Sequence, residues 1–156
     1  MKLLNYKKKK NLNFCIWLAL FIACCLMAPV NIFAQDCPQP RNIKSAPEEY
    51  LKMKNPLEAS SGNVSQGRDL YMEMTESLAC VHCHGPNGDG KGEMGIDIVP
   101  PPRNFTCAET MKSISDGQMF WVMKKGSPNQ LMPGYGSSLA DEALWRIITF
   151  VRTFAK

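Results

Sequence analysis

Histidine is nearly missing from this sequence. The 156 residues carry two, His82 and His84, and both fall inside one pentapeptide. A metal centre fed by histidines from distant parts of the chain is therefore excluded. No internal repeat is visible, and neither collagen-like nor low-complexity bias shows, although 11 Gly and 11 Pro make the chain rich in loops. A basic surface is lacking too. Five of the 18 Lys and Arg are Lys2, Lys7, Lys8, Lys9 and Lys10, and residues 35–156 hold 13 basic against 14 acidic side chains, a net charge of −1. That balance removes nucleic acid from the expected partners. The 45% apolar content in one domain-sized length supplies a packed core and excludes wholesale disorder.

The apolar residues are unevenly spread. From Phe14 to Ala34 the run FCIWLALFIACCLMAPVNIFA has no charge and follows a lysine-rich leader, the pattern of an export signal. Ile32 and Ala34 precede a candidate cleavage point at Gln35, with Ile32 larger than a strict signal favours. The run is also long enough to span a bilayer, so residues 1–34 read as a signal peptide or an N-terminal membrane anchor, with a tether through 14–34. Lipid attachment at Cys24 is a third option. Each places the remainder outside the cytoplasm, in a periplasmic or other extracytoplasmic compartment.

Residues 35–62, with Cys37, Pro38, Pro40, Pro47 and Pro56, show no apolar period and read as a proline-rich extended arm. A domain follows over 63–156. Asn63 and Gln66 form a capping-box-like start, after which Val64, Gly67, Leu70, Tyr71 and Met74 fall at helical spacing. Residues 85–105 are dense in Gly and Pro and form a long loop, of the kind that wraps something. Ser115 caps a second helix through Lys125, stopped by Gly126. The last helix runs from about Leu139 to Phe154 with Ser138 as its cap, and Glu142, Arg146, Thr149 and Thr153 form a narrow polar stripe. Three short helices in about 100 residues need something besides side chains at their centre.

Cys80-Val81-His82-Cys83-His84 supplies that something. It is the C-x-x-C-H pattern of covalent haem attachment. In a helical turn, positions three apart share one face with Cβ atoms roughly 5–6 Å apart, so both thiols can reach the two vinyl groups on one haem edge while His84 turns its imidazole onto the iron. A zinc site would need a second ligand pair far along the chain, and a thioredoxin-like dithiol would need a βαβ unit; neither pattern is present. His82, fixed between the two cysteines, is too close in sequence to cross the porphyrin plane.

The opposite iron face then calls for methionine. Met72, Met74, Met111, Met119 and Met123 sit in or beside helical patterns and read as core filler. Met132 lies in Gln130-Leu131-Met132-Pro133-Gly134-Tyr135, where Pro133 and Gly134 prevent helix, so a loop can carry its sulfur across the haem.

In this order of features residues 63–155 resemble the class I, monohaem cytochrome c family. The matches are Gly67 and Tyr71, the pentapeptide 80–84, Gly88-Asp89-Gly90-Lys91-Gly92, Met132-Pro133, and the Trp145–Arg152 helix. The resemblance implies an all-α cytochrome c fold of three to five short helices wrapped around one haem c attached through Cys80 and Cys83. It implies His84 and Met132 as axial ligands, Gly67 admitting Phe150 where the first and last helices cross, and a proline carbonyl, from Pro100 or Pro101, holding the proximal imidazole. The function it implies is electron carriage between donor and acceptor redox proteins rather than enzymatic turnover. An open-iron protein for gas binding or peroxidase-like chemistry, and a fixed oxidoreductase subunit, remain as alternatives.

Other features weigh less. Gly85 to Lys91 approaches a P-loop, but Gly92 stands where Ser or Thr is needed. Asp89 and Asp97 lack the spacing of a calcium loop. Cys37 and Cys107 are an even pair suited to a disulfide, with Cys107 thiolate ligation of the iron as the competing role. Arg103 and Trp121 are candidate contacts for haem propionates.

Overall fold

In the computed structural model, residues 37–39, 41–73, 78–127 and 131–155 are described. The expected leader and its tether lie outside these residues, as do Pro40, Met74 and Gln130. Among the described residues there are six helical segments and no strand: α1 (Glu48–Leu51), α2 (Ser61–Met72), α3 (Cys80–His84), α4 (Ala108–Lys112), α5 (Asp116–Lys125) and α6 (Asp141–Arg152). None is long and apolar enough to cross a membrane. Three of the six are single turns of four or five residues, which is why the count exceeds the three to five expected. Residues 35–156 form one compact unit.

Helix ends follow the chemistry of their caps, not always at the residues expected. The α2 helix starts at Ser61, because the Ser60 hydroxyl accepts from the Asn63 backbone N–H at 3.3 Å, while the Asn63 side chain donates to the Glu58 carbonyl instead of capping. The α5 helix begins as expected, with the Ser115 hydroxyl accepting from Gln118 N–H, and ends at Gly126 with φ +80°. The α6 helix is shorter than the apolar period suggests. Ala140 stands at its N-cap, and the Ser138 hydroxyl donates to the Tyr135 carbonyl, so it is spent on the preceding turn. The arm is not extended throughout either: Pro47, with φ −53°, starts the α1 turn, and Glu48 and Glu49 suit its positive end.

The centre of the molecule is the crossing of α2 and α6. A Cβ on Gly67 would lie 2.0 Å from the Arg146 carbonyl oxygen and 3.1 Å from the Phe150 Cβ. The residue that glycine admits is thus first the backbone of Arg146 and only then Phe150. Tyr71, fully buried, packs on Phe150 and Phe154 with ring centroids 5.3 and 5.7 Å away. Leu144, Ile147 and Ile148 are buried from the α6 side, each contributing about 1.5–3 kcal/mol relative to exposure.

The arm covers the other side of α6. Asn55 Nδ2 donates to the Trp145 carbonyl and to Thr149 Oγ1, at 3.0 and 2.9 Å, which buries a threonine expected on the polar stripe. Phe120 lies between Tyr50 of the arm and Trp145, stacking on both rings, and Gly117 meets the Tyr50 carbonyl so closely that a Cβ would sit 1.7 Å from it. Arg152 closes the base: its guanidinium donates to the carbonyls of Met111 and Ile114 and pairs with Asp116 at 2.6 Å. One side chain therefore satisfies the junction between α4 and α5.

Gly67→Ala tests the crossing. Overpacking backbone against backbone should cost about 3 kcal/mol, the upper end for core insertions, read as a lowered Tm in calorimetry.

Candidate functional site

The α3 turn is held from three directions. Tyr135 Oη donates to the Leu78 carbonyl at 2.8 Å just before the turn, and Tyr71 Oη donates to the Gly85 carbonyl at 2.7 Å just after it. Beneath it the glycine-rich loop presses close: Gly92 N–H donates to the Cys83 carbonyl and Met94 N–H to the His82 carbonyl. A Cβ on Gly92 would lie 2.2 Å from the His82 oxygen. The loop at 85–105 thus wraps the turn that carries the cysteines.

His84 Nδ1 is 3.1 Å from the Arg103 carbonyl oxygen. A carbonyl can only accept, so Nδ1 carries the proton and Nε2 keeps its lone pair for a metal. The ring also stacks on Phe105, with centroids 4.5 Å apart and planes at 16°. Burial pushes the imidazole pKa down to about 4, the Arg103 carbonyl opposes this, and the charges of Arg41 and Arg103 add to the fall. The ring is therefore neutral near pH 7, the form that ligates.

Beside this ring lies a crevice of about 1170 Å³, mouth included. Cys80, Cys83, His84 and Met132 all line it. Most of the remaining lining is apolar, including Phe105, Met111, Ile114, Val122, Ile148 and Val151. Burial pushes the Cys80 thiol up to about 12 and raises Cys83 as well. Among the described residues no group of three or more His, Cys, Asp and Glu could hold a bare metal ion. Two thiols three residues apart, an imidazole with a free Nε2 and an apolar crevice fit a haem and do not fit a zinc ion.

The 131–135 segment is fixed at both ends. Ser127 N–H donates to the Met132 carbonyl, and Tyr135 N–H donates to Met123 at the end of α5. Met119, Met111 and Met123 also line the crevice, so these three methionines border the site as well as the core.

Several expected roles change. The carbonyl that meets His84 belongs to Arg103, not to Pro100 or Pro101; Pro100 lines the crevice, and the Pro101 carbonyl accepts from Arg41. Arg103 lines the crevice, whereas Trp121 is buried and does not appear in its wall. The expected disulfide between Cys37 and Cys107 does form, with Cα atoms 5.6 Å apart, and it takes the Cys107 sulfur out of the candidate ligands.

Sequence reasoning missed Arg41, Gln39 and Phe105. Gln39, buried, donates its N–H to Thr110 Oγ1, accepts the Asn104 N–H at Oε1, and accepts Arg103 Nη1 at its carbonyl, with distances of 3.0, 2.9 and 2.8 Å. These residues lie in irregular segments where no period marks the inward face, and only the disulfide pair hinted that the arm returns to the domain.

Comparison with known proteins bears on the fold and the family. A solved structure, the Kuenenia stuttgartiensis reducing HAO-like protein complex Kustc0457/Kustc0458, aligns with a TM-score of 0.54 and 20% identity over 74% of this chain. This chain spans about half of that one, 52%, and the likeness speaks for the fold. A second structure, the KustC0563 c-type cytochrome, aligns with a TM-score of 0.47 and 27% identity over 58% of this chain and 98% of its own. No curated protein matches. The family model described as cytochrome c oxidase, cbb3-type, subunit III matches residues 62–151, more than half of the chain. The chain belongs to that family, and so to the all-α cytochromes c that carry electrons on a c-type haem.

Proposed function

We propose that this chain is a class I monohaem cytochrome, working outside the cytoplasm, that passes single electrons between larger redox proteins. The observation that carries the reading is the shared wall of one apolar crevice, to which α3 brings Cys80, Cys83 and His84 and the 131–135 segment brings Met132. In this reading Cys80 and Cys83 would hold the haem through two thioethers, and His84 Nε2 and the Met132 sulfur would be its iron ligands. A haem bound there supplies one-electron chemistry at iron and needs no proton or substrate atom to move.

The chain's own residues do the rest. The Arg103 carbonyl and Phe105 fix the plane and tautomer of the imidazole, which is the outer-shell control that keeps a ligand from reorienting between oxidation states. The thioether of Met132 and the apolar wall disfavour the extra ferric charge, so both raise the potential. A haem held by both His84 and Met132 would have no open iron position for a substrate, which favours carriage over gas binding or peroxidase chemistry.

The family description names an oxidase subunit, and exposed apolar side chains on the segments that flank the crevice favour a docked partner. Ile96, Val99 and Leu131 are 73%, 92% and 75% exposed. A fixed subunit and a free carrier are distinguished by whether the native protein elutes alone or with a larger complex on gel filtration.

Met132→Ala should abolish the sulfur-to-iron charge-transfer band of the ferric protein, lower the potential, and let the ferrous form bind carbon monoxide, while Met119→Ala should keep the band. A spectrum unchanged in Met132→Ala would assign the ligand elsewhere. Cys83→Ala should leave haem lost or held by one thioether, visible as a shifted pyridine haemochrome band in the denatured protein.

A further inference from the structure

Arg41 and Arg103 both line the crevice and are both half-buried. Each guanidinium bonds to one backbone carbonyl, and the bonds cross: Arg41 Nη2 donates to Pro101, and Arg103 Nη1 donates to Gln39 at 2.8 Å. Among the described residues neither has a carboxylate within 4 Å. Two like charges against an apolar wall are costly without a counter-anion, and each retains several of its five N–H donors. The arrangement lacks a pair of negative groups.

We propose that Arg41 and Arg103 form a paired guanidinium seat for the two propionate carboxylates of the haem, with Arg41 delivered by the N-terminal arm. The inference rests on the haem reading above and extends it to a segment ahead of the matched stretch, which begins at residue 62. The arm has no regular structure at residues 41–47, so Arg41 is positioned by anchors on both sides of it. On one side stand the Cys37–Cys107 disulfide and the three hydrogen bonds of Gln39. On the other, Ala46 N–H donates to Gln118 Oε1 at 2.8 Å. Cys37 and Gln39 are positioning residues, and Arg41 and Arg103 are binding residues.

A guanidinium suits this task because its planar fork meets a carboxylate with two parallel N–H bonds. Its fixed charge offsets that of the propionate and so favours ferrous iron. Removing one such charge should change the ferrous-to-ferric ratio at a set ambient potential about tenfold, equivalent to about 59 mV for a one-electron couple.

The test uses mature holoprotein carrying Arg41→Gln, Arg41→Lys or Arg68→Gln; Arg68 is an exposed arginine on α2 and reports the effect of any lost charge. Potentiometric titration and redox-difference infrared bands of the propionates are read on each, with the pyridine haemochrome as proof of attachment. Arg41→Gln should lower the potential about tenfold in the ratio and shift the carboxylate bands. Arg41→Lys should recover most of the potential but still shift the bands, because charge is kept and the fork is lost. The double change Cys37→Ser/Cys107→Ser should lower the potential in the parent and have less effect when added to Arg41→Gln. A protein with haem attached whose potential and bands move no more in Arg41→Gln than in Arg68→Gln overturns the seat alone. If Arg41→Gln does not mature, unshifted bands in Arg41→Lys overturn it. A parent protein that carries no haem overturns the haem reading and the seat together.

Discussion

The bond from His84 Nδ1 to the Arg103 carbonyl organises the site. It sets which imidazole nitrogen is free, and so decides that the pentapeptide can ligate at all. Its acceptor belongs to a residue whose side chain reaches the same crevice and whose guanidinium is tied to Gln39. One backbone carbonyl therefore links the turn that carries the cysteines, the long glycine- and proline-rich loop, and the arm.

The arm's packing follows from a shortage of regular structure. Three single turns and three longer helices cannot by themselves cover both sides of α6 and enclose a large apolar crevice. Tyr50, Asn55 and Gln39 fill the gaps with a ring, an amide on the helix backbone and a buried amide respectively. The disulfide closes a separation of 70 residues, which in chain-entropy terms contributes about 4 kcal/mol. An irregular segment held this way can place a charged side chain at the crevice without a helix to carry it.

Part of this was legible in the chain. The caps at Ser115 and Gly126, the apolar face of α6 and the cysteine pentapeptide are local signals, since each depends on neighbours within a turn or two. Ser60 in place of Asn63 and Ala140 in place of Ser138 were not legible, because a competing hydrogen bond to Glu58 or Tyr135 diverts the expected cap. The choice of Arg103 over the neighbouring prolines was equally hidden. It depends on where a loop of some twenty residues passes the imidazole.

The sequence by itself determined the thiol and imidazole set on one turn, the methionine in a loop that cannot be helix, and the all-α class. The first two follow from spacing and from backbone preference, which act over a few residues, and the class follows from the resemblance to the cytochromes c. Only the tertiary structure decided that Arg41 joins the crevice with Gln39 behind it on Arg103, that Cys37 closes onto Cys107, and that the Arg103 carbonyl rather than a proline carbonyl orients His84. Those contacts join residues 19 to 71 positions apart through irregular segments. No period in the sequence encodes which side of such a segment faces inward.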